Sequence, residues 1–251
     1  MAKTALILGS SGDGKSTAIA VNPDGRYFED PRYKNENLKY EGIEAESTVI
    51  FNCDGKELPF PAERLGWKEG VNLFTSTYEK PLSAEVIDNY LIKIHQGTKI
   101  KRVFIDTING SLNDKEMLES RKMTYDKWYD LAKDYYAMMV KANSLRADLV
   151  IYILGHTTVN DEGERRLVTN GRKLEKINLE SKATIVLYTA VENGLEGDNK
   201  FSFQTQRSRN SCKTPIGMFS TFSIPNSLKL VDDQIRSYYN IQDIKTVNSK
   251  E

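Results

Sequence analysis

Sulfur and imidazole are scarce in this chain of 251 residues, which holds two cysteines, Cys53 and Cys212, and two histidines, His95 and His156. Two thiols cannot make a disulfide framework and lack the paired spacing of a zinc site, so a reducing cytoplasm is the expected setting. Two imidazoles cannot build a metal centre without carboxylate help. Net charge is absent too: 35 basic side chains face 35 acidic ones, which excludes a protein whose whole surface coats a polyanion. Long apolar runs are missing near the start, where Ala5 to Leu8 stops at Gly9, short of a signal-peptide core or a membrane span. The expectation is a soluble, unexported protein with no membrane partner. No internal repeat or low-complexity tract occurs.

What is present is ordinary globular composition, 39% hydrophobic and 28% charged. That is enough for residues 1–247 to form one α/β domain without staples, with 248–251 as a disordered tail. Thr4 to Leu8, Thr48 to Cys53, Val103 to Asp106, Leu149 to Leu154 and Ala183 to Tyr188 are apolar runs suited to strands buried on both faces. Two segments carry helical spacing. Ser83 to Gln96 places Val86, Ile87, Tyr90, Leu91 and Ile94 on one face, with Ser83 as cap and Gly97 as stop. Tyr125 to Leu145 spaces Trp128, Leu131, Tyr135, Met138, Ala142 and Leu145 three and four apart, for helix-on-sheet packing. Strands alternating with helices predict a mostly parallel sheet with right-handed crossovers. Phe201 to Gln206 and Leu228 to Val231 read as antiparallel additions, and residues 22–47 as an irregular insertion.

One segment stands apart. Gly9-Ser10-Ser11-Gly12-Asp13-Gly14-Lys15-Ser16 satisfies G-x-x-x-x-G-K-[ST], directly after a strand pattern and before a helical Thr17-Ala18-Ile19-Ala20. A polyphosphate must be held without side chains blocking the backbone. Gly9, Gly12 and Gly14 allow consecutive amides to turn inward at the positive end of the helix. Lys15 then reaches the β- and γ-phosphates, the Ser16 hydroxyl ligates Mg²⁺, and Thr17 either bonds the α-phosphate or simply packs.

The complementary half is an apolar strand ending in an acid, and Val103-Phe104-Ile105-Asp106 supplies it, with Asp106 for the Mg²⁺ shell. Thr107 follows where an adjacent catalytic Glu would stand, so the acid that activates water must come from elsewhere. Asp54, or Glu57 three residues on, is the candidate, although Asp54-Gly55 is equally a turn dipeptide. His156, just past an apolar run, is either a γ-phosphate sensor or a structural hydrogen-bonding group. His95 reads as a solvated helix-end residue.

From Asn199 to Lys213 the chain carries Lys200, Arg207, Arg209 and Lys213 and no acid, a local charge of +4. Arg207, Arg209 and Lys213 fit cations donated to a neighbouring subunit's nucleotide, a track for a nucleic-acid backbone, or a solvated strand edge. The connection from Thr157 to Lys182 holds six cations, including Arg165 and Arg166, against five acids, so its charge of about +1 does not argue for DNA.

These strings, with Asn-Cys-Asp-Gly-Lys-Glu-Leu-Pro-Phe at 52–60, Gly-His-Thr at 155–157, Thr-Ile-Val-Leu-Tyr at 184–188 and Lys-Thr-Pro-Ile-Gly-Met-Phe at 213–219, resemble the phage-encoded RecA-like P-loop ATPases of the AAA-family ATP-binding type. The resemblance implies a three-layer α/β/α fold, ATP at Gly12 to Thr17, Mg²⁺ at Ser16 and Asp106, and a subunit-interface role for Lys213. It further implies a homo-oligomer working in an infected bacterial cytoplasm with single-stranded DNA and a single-strand DNA-binding protein. The sequence departs from that pattern in its long insertion and in Asp13, where Thr is frequent. Two alternatives stand beside a DNA-stimulated ATPase: a nucleotide-binding adaptor with little hydrolysis, suggested by Thr107, and a small-molecule kinase with Arg207 and Arg209 as lid cations. No Asn-Lys-x-Asp string of a GTPase occurs.

Overall fold

A computed structural model describes residues 1–26, 40–119, 125–168, 178–192 and 200–242. Its centre is a nine-stranded mixed sheet, mostly parallel, with helices on both sides. The strands are β1 (Lys3–Gly9), β2 (Thr48–Asn52), β3 (Leu73–Thr75), β4 (Arg102–Asp106), β5 (Val150–Val159), β6 (Arg165–Leu167), β7 (Ile185–Glu192), β8 (Lys200–Gln204) and β9 (Ser223–Pro225). They lie in the order β3-β2-β4-β5-β1-β7-β8-β9, and β6 pairs with the far end of β5. Neighbours from β3 to β7 run parallel; β8 and β9 are antiparallel.

The apolar runs form strands because nearly every residue in them is buried, exposed Thr184 ahead of β7 being an exception, with alternate side chains serving opposite faces. On one face Leu6, Leu8, Phe51, Ile105, Ile151 and Val186 meet helices α1 (Ala84–Gln96), α2 (Ile108–Glu119) and α3 (Tyr125–Ser144). On the other, Ala5, Ile7, Phe104, Tyr152 and Leu187 meet a single 3₁₀ turn at Thr17–Ala20 and helix α4 (Leu228–Tyr238).

The α1 expectation holds in detail. Ser83 Oγ accepts from the Val86 amide, Ile87 and Leu91 are buried, and Val86, Tyr90 and Ile94 pack beside them. In α3, Tyr135, Met138 and Ala142 are buried, as is Leu145 just beyond it; the side chains of Trp128 and Leu131 lie outside the described residues. Residues 27–39 of the 22–47 insertion and the tail at 248–251 lie outside them as well.

Two expectations are corrected. Leu228 to Val231 is not a strand but the start of α4, where Leu228, Val231 and Ile235 fall on one helical stripe and Ser227 caps the first turn by accepting from Leu230 N. Thr17-Ala18-Ile19-Ala20 is not the start of a long helix; it is one 3₁₀ turn ending at extended Val21. The two corrections are linked, because α4 packs on this turn and covers sheet surface that a longer helix would have shielded.

A buried ionic cluster ties α4 down. Asp232, fully buried, accepts from Arg102 Nε (2.6 Å), Arg236 Nε (2.8 Å) and the Tyr152 hydroxyl (2.8 Å). Removing a partner from such a cluster strands buried charge, so Asp232→Ala should cost about 3–5 kcal/mol in urea unfolding. Asp233→Ala, which breaks only the exposed pair with Lys229, should cost less than about 1 kcal/mol. Equal costs would contradict this account of α4.

Candidate phosphate-binding site

At the carboxyl end of a parallel sheet the strand carbonyls stop and loops begin, so polar groups from separate strands can converge there. β1 ends at Gly9, which pairs in register with His156 of β5 and lies beside Thr189 of β7. The position has no room for a side chain: a Cβ on Gly9 would come 1.8 Å from Thr189 Oγ1. Gly12 and Gly14 take left-handed backbone, φ +84° and +78°, where a Cβ is strained. At Gly14 a Cβ would also meet Asn226 Nδ2 at 2.6 Å. That amide donates to the Gly14 carbonyl (3.1 Å), and Ser227 Oγ donates to Val21 O (2.8 Å), so the entry to α4 anchors the glycine loop.

Lys15 turns back under this loop. Its Nζ, 5% exposed as a residue, donates to the carbonyls of Gly9 (2.9 Å) and Ser10 (2.7 Å) and faces His156 Nδ1 at 3.3 Å. Burial pushes the ammonium down to about 8, against the pull of Asp13, Asp106 and Asp54. It remains mainly charged at neutral pH. Because an ammonium has only protons to give, His156 Nδ1 must accept, which places the imidazole proton on Nε2. Burial and the Lys15 charge both hold His156 below its usual range, so it is neutral. Asn109 Oδ1 accepts from the His156 amide (2.7 Å) and fixes this strand end.

Asp106 ends β4, and β5 lies between β4 and β1. Even so, Ser16 Oγ donates to Asp106 Oδ1 at 2.9 Å across 90 residues of sequence. Burial lifts the Asp106 carboxyl to about 6; the Ser16 hydrogen bond opposes the shift and Asp54 adds to it. Hydroxyl and carboxylate oxygens are the hard donors that Mg²⁺ takes. Among the described residues no group of three or more His, Cys, Asp or Glu is placed to hold a metal, so a cation here needs further oxygens from phosphate and water.

The other sequence candidates are distributed as follows. Asp54 is adjacent: its Oδ1 accepts from Thr107 Oγ1 (2.8 Å) and its Oδ2 pairs with Lys56 (3.1 Å). Glu57 is exposed and lines a separate groove of about 730 Å³ with Lys56, Leu58, Phe60 and Leu73. Ser11 and Gly12 are exposed on the loop crest, and Thr17 is half-buried. Arg207 is exposed and pairs with Glu164 at 3.5 Å. Arg209 is exposed, and its carbonyl accepts from Arg165 N. Lys213 bridges to Val186 near the start of β7, three residues short of Thr189, and so lies back from the loop. His95 is exposed, and its Nδ1 accepts from the Arg146 amide (3.0 Å).

Three residues at the site were invisible to sequence reasoning as site members: Asn109, Thr189 and Asn226. Arg165 is a fourth, hidden inside a segment whose charges nearly cancel. Only its position at the start of a short β6 brings it to the loop.

Scanned against protein-family models the chain matches none, and comparison with curated proteins finds no similar sequence.

Because Thr189 closes the space beside Gly9, Gly9→Ala should destabilise the protein by about 1–3 kcal/mol, the usual cost of overpacking. The penalty should shrink in a Thr189→Ala background, as chemical unfolding of the four-member mutant cycle would reveal. An unchanged penalty would mean that the contact does not shape the loop.

Proposed function

We propose that this chain is a Mg²⁺-dependent ATPase of the RecA-like P-loop type, working as a homo-oligomer with single-stranded DNA. The observation that carries the nucleotide reading is the 2.9 Å contact between Ser16 and Asp106, beside a buried Lys15 in a glycine loop that directly follows β1. No core-packing requirement brings these three groups together, since an apolar trio would satisfy the same space at lower desolvation cost.

In this reading Lys15 exchanges the Gly9 and Ser10 carbonyls for phosphate oxygens. Ser16 Oγ and Asp106 would hold Mg²⁺, which would supply charge neutralisation of the polyphosphate. His156, neutral, presents Nε2–H as a donor. Asp54 is the carboxylate set to accept a proton from an attacking water, because Thr107 orients it beside Asp106. The DNA and oligomer parts rest on the family resemblance and on the cations at 207, 209 and 213. Lys213 is exposed and bridges to Val186 near the start of β7, set back from its own loop.

A second reading, a nucleotide-binding adaptor with little turnover, is favoured by Thr107: the residue after Asp106 is a hydroxyl that engages Asp54, and Asp54 is also paired with Lys56.

Calorimetry and phosphate release separate these. Lys15→Ala should abolish Mg·ATP binding. Asp106→Asn should retain some binding and lose turnover. Lys213→Ala or Arg209→Ala should lower turnover and spare binding. Wild-type phosphate release should rise with single-stranded DNA and fall steeply with salt. Binding without release under every condition would establish the adaptor, and no binding of any nucleoside triphosphate would end both readings. If mixing Lys15→Ala with Lys213→Ala subunits restores no activity, Lys213 does not act across an interface.

A further inference from the structure

Asp13 is an anomaly of charge. It places a carboxylate in the loop that must embrace a polyanion, and its side chain is only 20% exposed. The carboxylate folds back over β1. Asp13 Oδ2 accepts from the Ser10 amide (2.8 Å) and from Thr189 Oγ1 (2.9 Å), and Arg165 Nη2 approaches it at 3.5 Å.

Arg165 is held from several directions. Its Nη1 donates to Thr189 O (2.9 Å), its Nη2 reaches Thr157 Oγ1 (3.4 Å), and its guanidinium lies over the Tyr188 ring at 5.4 Å. Its backbone amide donates to Arg209 O, and its carbonyl accepts from the Tyr188 hydroxyl. A guanidinium fixed this way by β5 and β7 has lost little further freedom when it meets a carboxylate, and its planar fork suits a divided task between Thr189 and Asp13.

We infer that Arg165 is a positioning residue for phosphate binding: it neutralises Asp13, so that this carboxylate can shape the loop through Ser10 without repelling the incoming phosphates. This rests on the nucleotide reading above and adds to it a residue outside the glycine motif. Arg165 works through Asp13, whereas Lys15 is the group placed to touch phosphate. The inference explains how an acid is tolerated in the loop. It also makes the effect charge-dependent, so a ligand with more phosphates should sense it more strongly.

Mg·ATP and AMP binding to the full chain, measured by calorimetry with thermal unfolding alongside, tests this. Arg165→Ala should weaken Mg·ATP at least tenfold and AMP by less than threefold. Adding Asp13→Thr should recover most of the lost affinity, and Arg165→Lys should fall between Arg165→Ala and wild type. A merely structural role would weaken both ligands alike and gain nothing from Asp13→Thr. Either that pattern or wild-type affinity in Arg165→Ala overturns the inference. If Arg165→Ala does not fold, Asp13→Asn decides: with Arg165 no longer neutralised, Mg·ATP should bind at least threefold tighter with a steeper salt dependence. Unchanged or weaker binding there is the overturning result. Failure of the wild type to bind any nucleotide is a different outcome, since it removes the nucleotide reading itself.

Discussion

Burying an ammonium at the carboxyl end of a parallel sheet is the constraint on which the site depends. Lys15 is desolvated enough to fall from its ordinary value of 10.5 to about 8, and nothing in the core requires it there. It is kept charged by Asp13 of its own loop, by Asp54 and Asp106 on two other segments, and by two carbonyls of the loop. Everything nearby follows from supplying these partners. Gly9 must be bare because Thr189 occupies its flank, β4 must end in an acid within reach of Ser16, and His156 must stay neutral to accept from Lys15.

The 3₁₀ turn after the loop changes how such a site is stabilised. A long helix would offer aligned peptide dipoles to the phosphates and would cover the sheet. One turn offers little of the first and, through Ala18 and Ile19, only part of the second. Helix α4, from the far end of the chain, takes over the covering task and holds the loop through Asn226 and Ser227. The buried cluster at Asp232 matters to the loop for that reason: it fixes the helix that fixes Gly14.

The strands were legible because full burial on both faces forces continuous Ile, Val and Leu, a pattern few other environments produce. The glycine motif was legible because its spacing is a backbone requirement. Helix α2 was not, since Ile108–Glu119 is largely polar and, among its described side chains, only Ile108 and Leu112 are buried with Asn109 and Ser111. β3 and β6, three residues each, are too short to carry a period. α4 was misread because Leu228-Lys229-Leu230-Val231 alternates like a strand, and the helical stripe becomes visible only when Ile235 is included. At the site, Lys15, Ser16 and Asp106 came from motif spacing. Thr189, Asn226 and Arg165 depend on which strands neighbour β1, which no local pattern encodes. Arg165 was further masked by counting charge over a segment whose acids and bases nearly cancel.

The nucleotide claim is tested most directly by a structure of the chain with Mg²⁺ and a non-hydrolysable ATP analogue. The expected result is a terminal phosphate within hydrogen-bonding distance of Lys15 Nζ, with the ion on Ser16 Oγ and Asp106 in its shell. A triphosphate bound elsewhere, with Lys15 still on the Gly9 and Ser10 carbonyls at saturating ligand, would contradict the account.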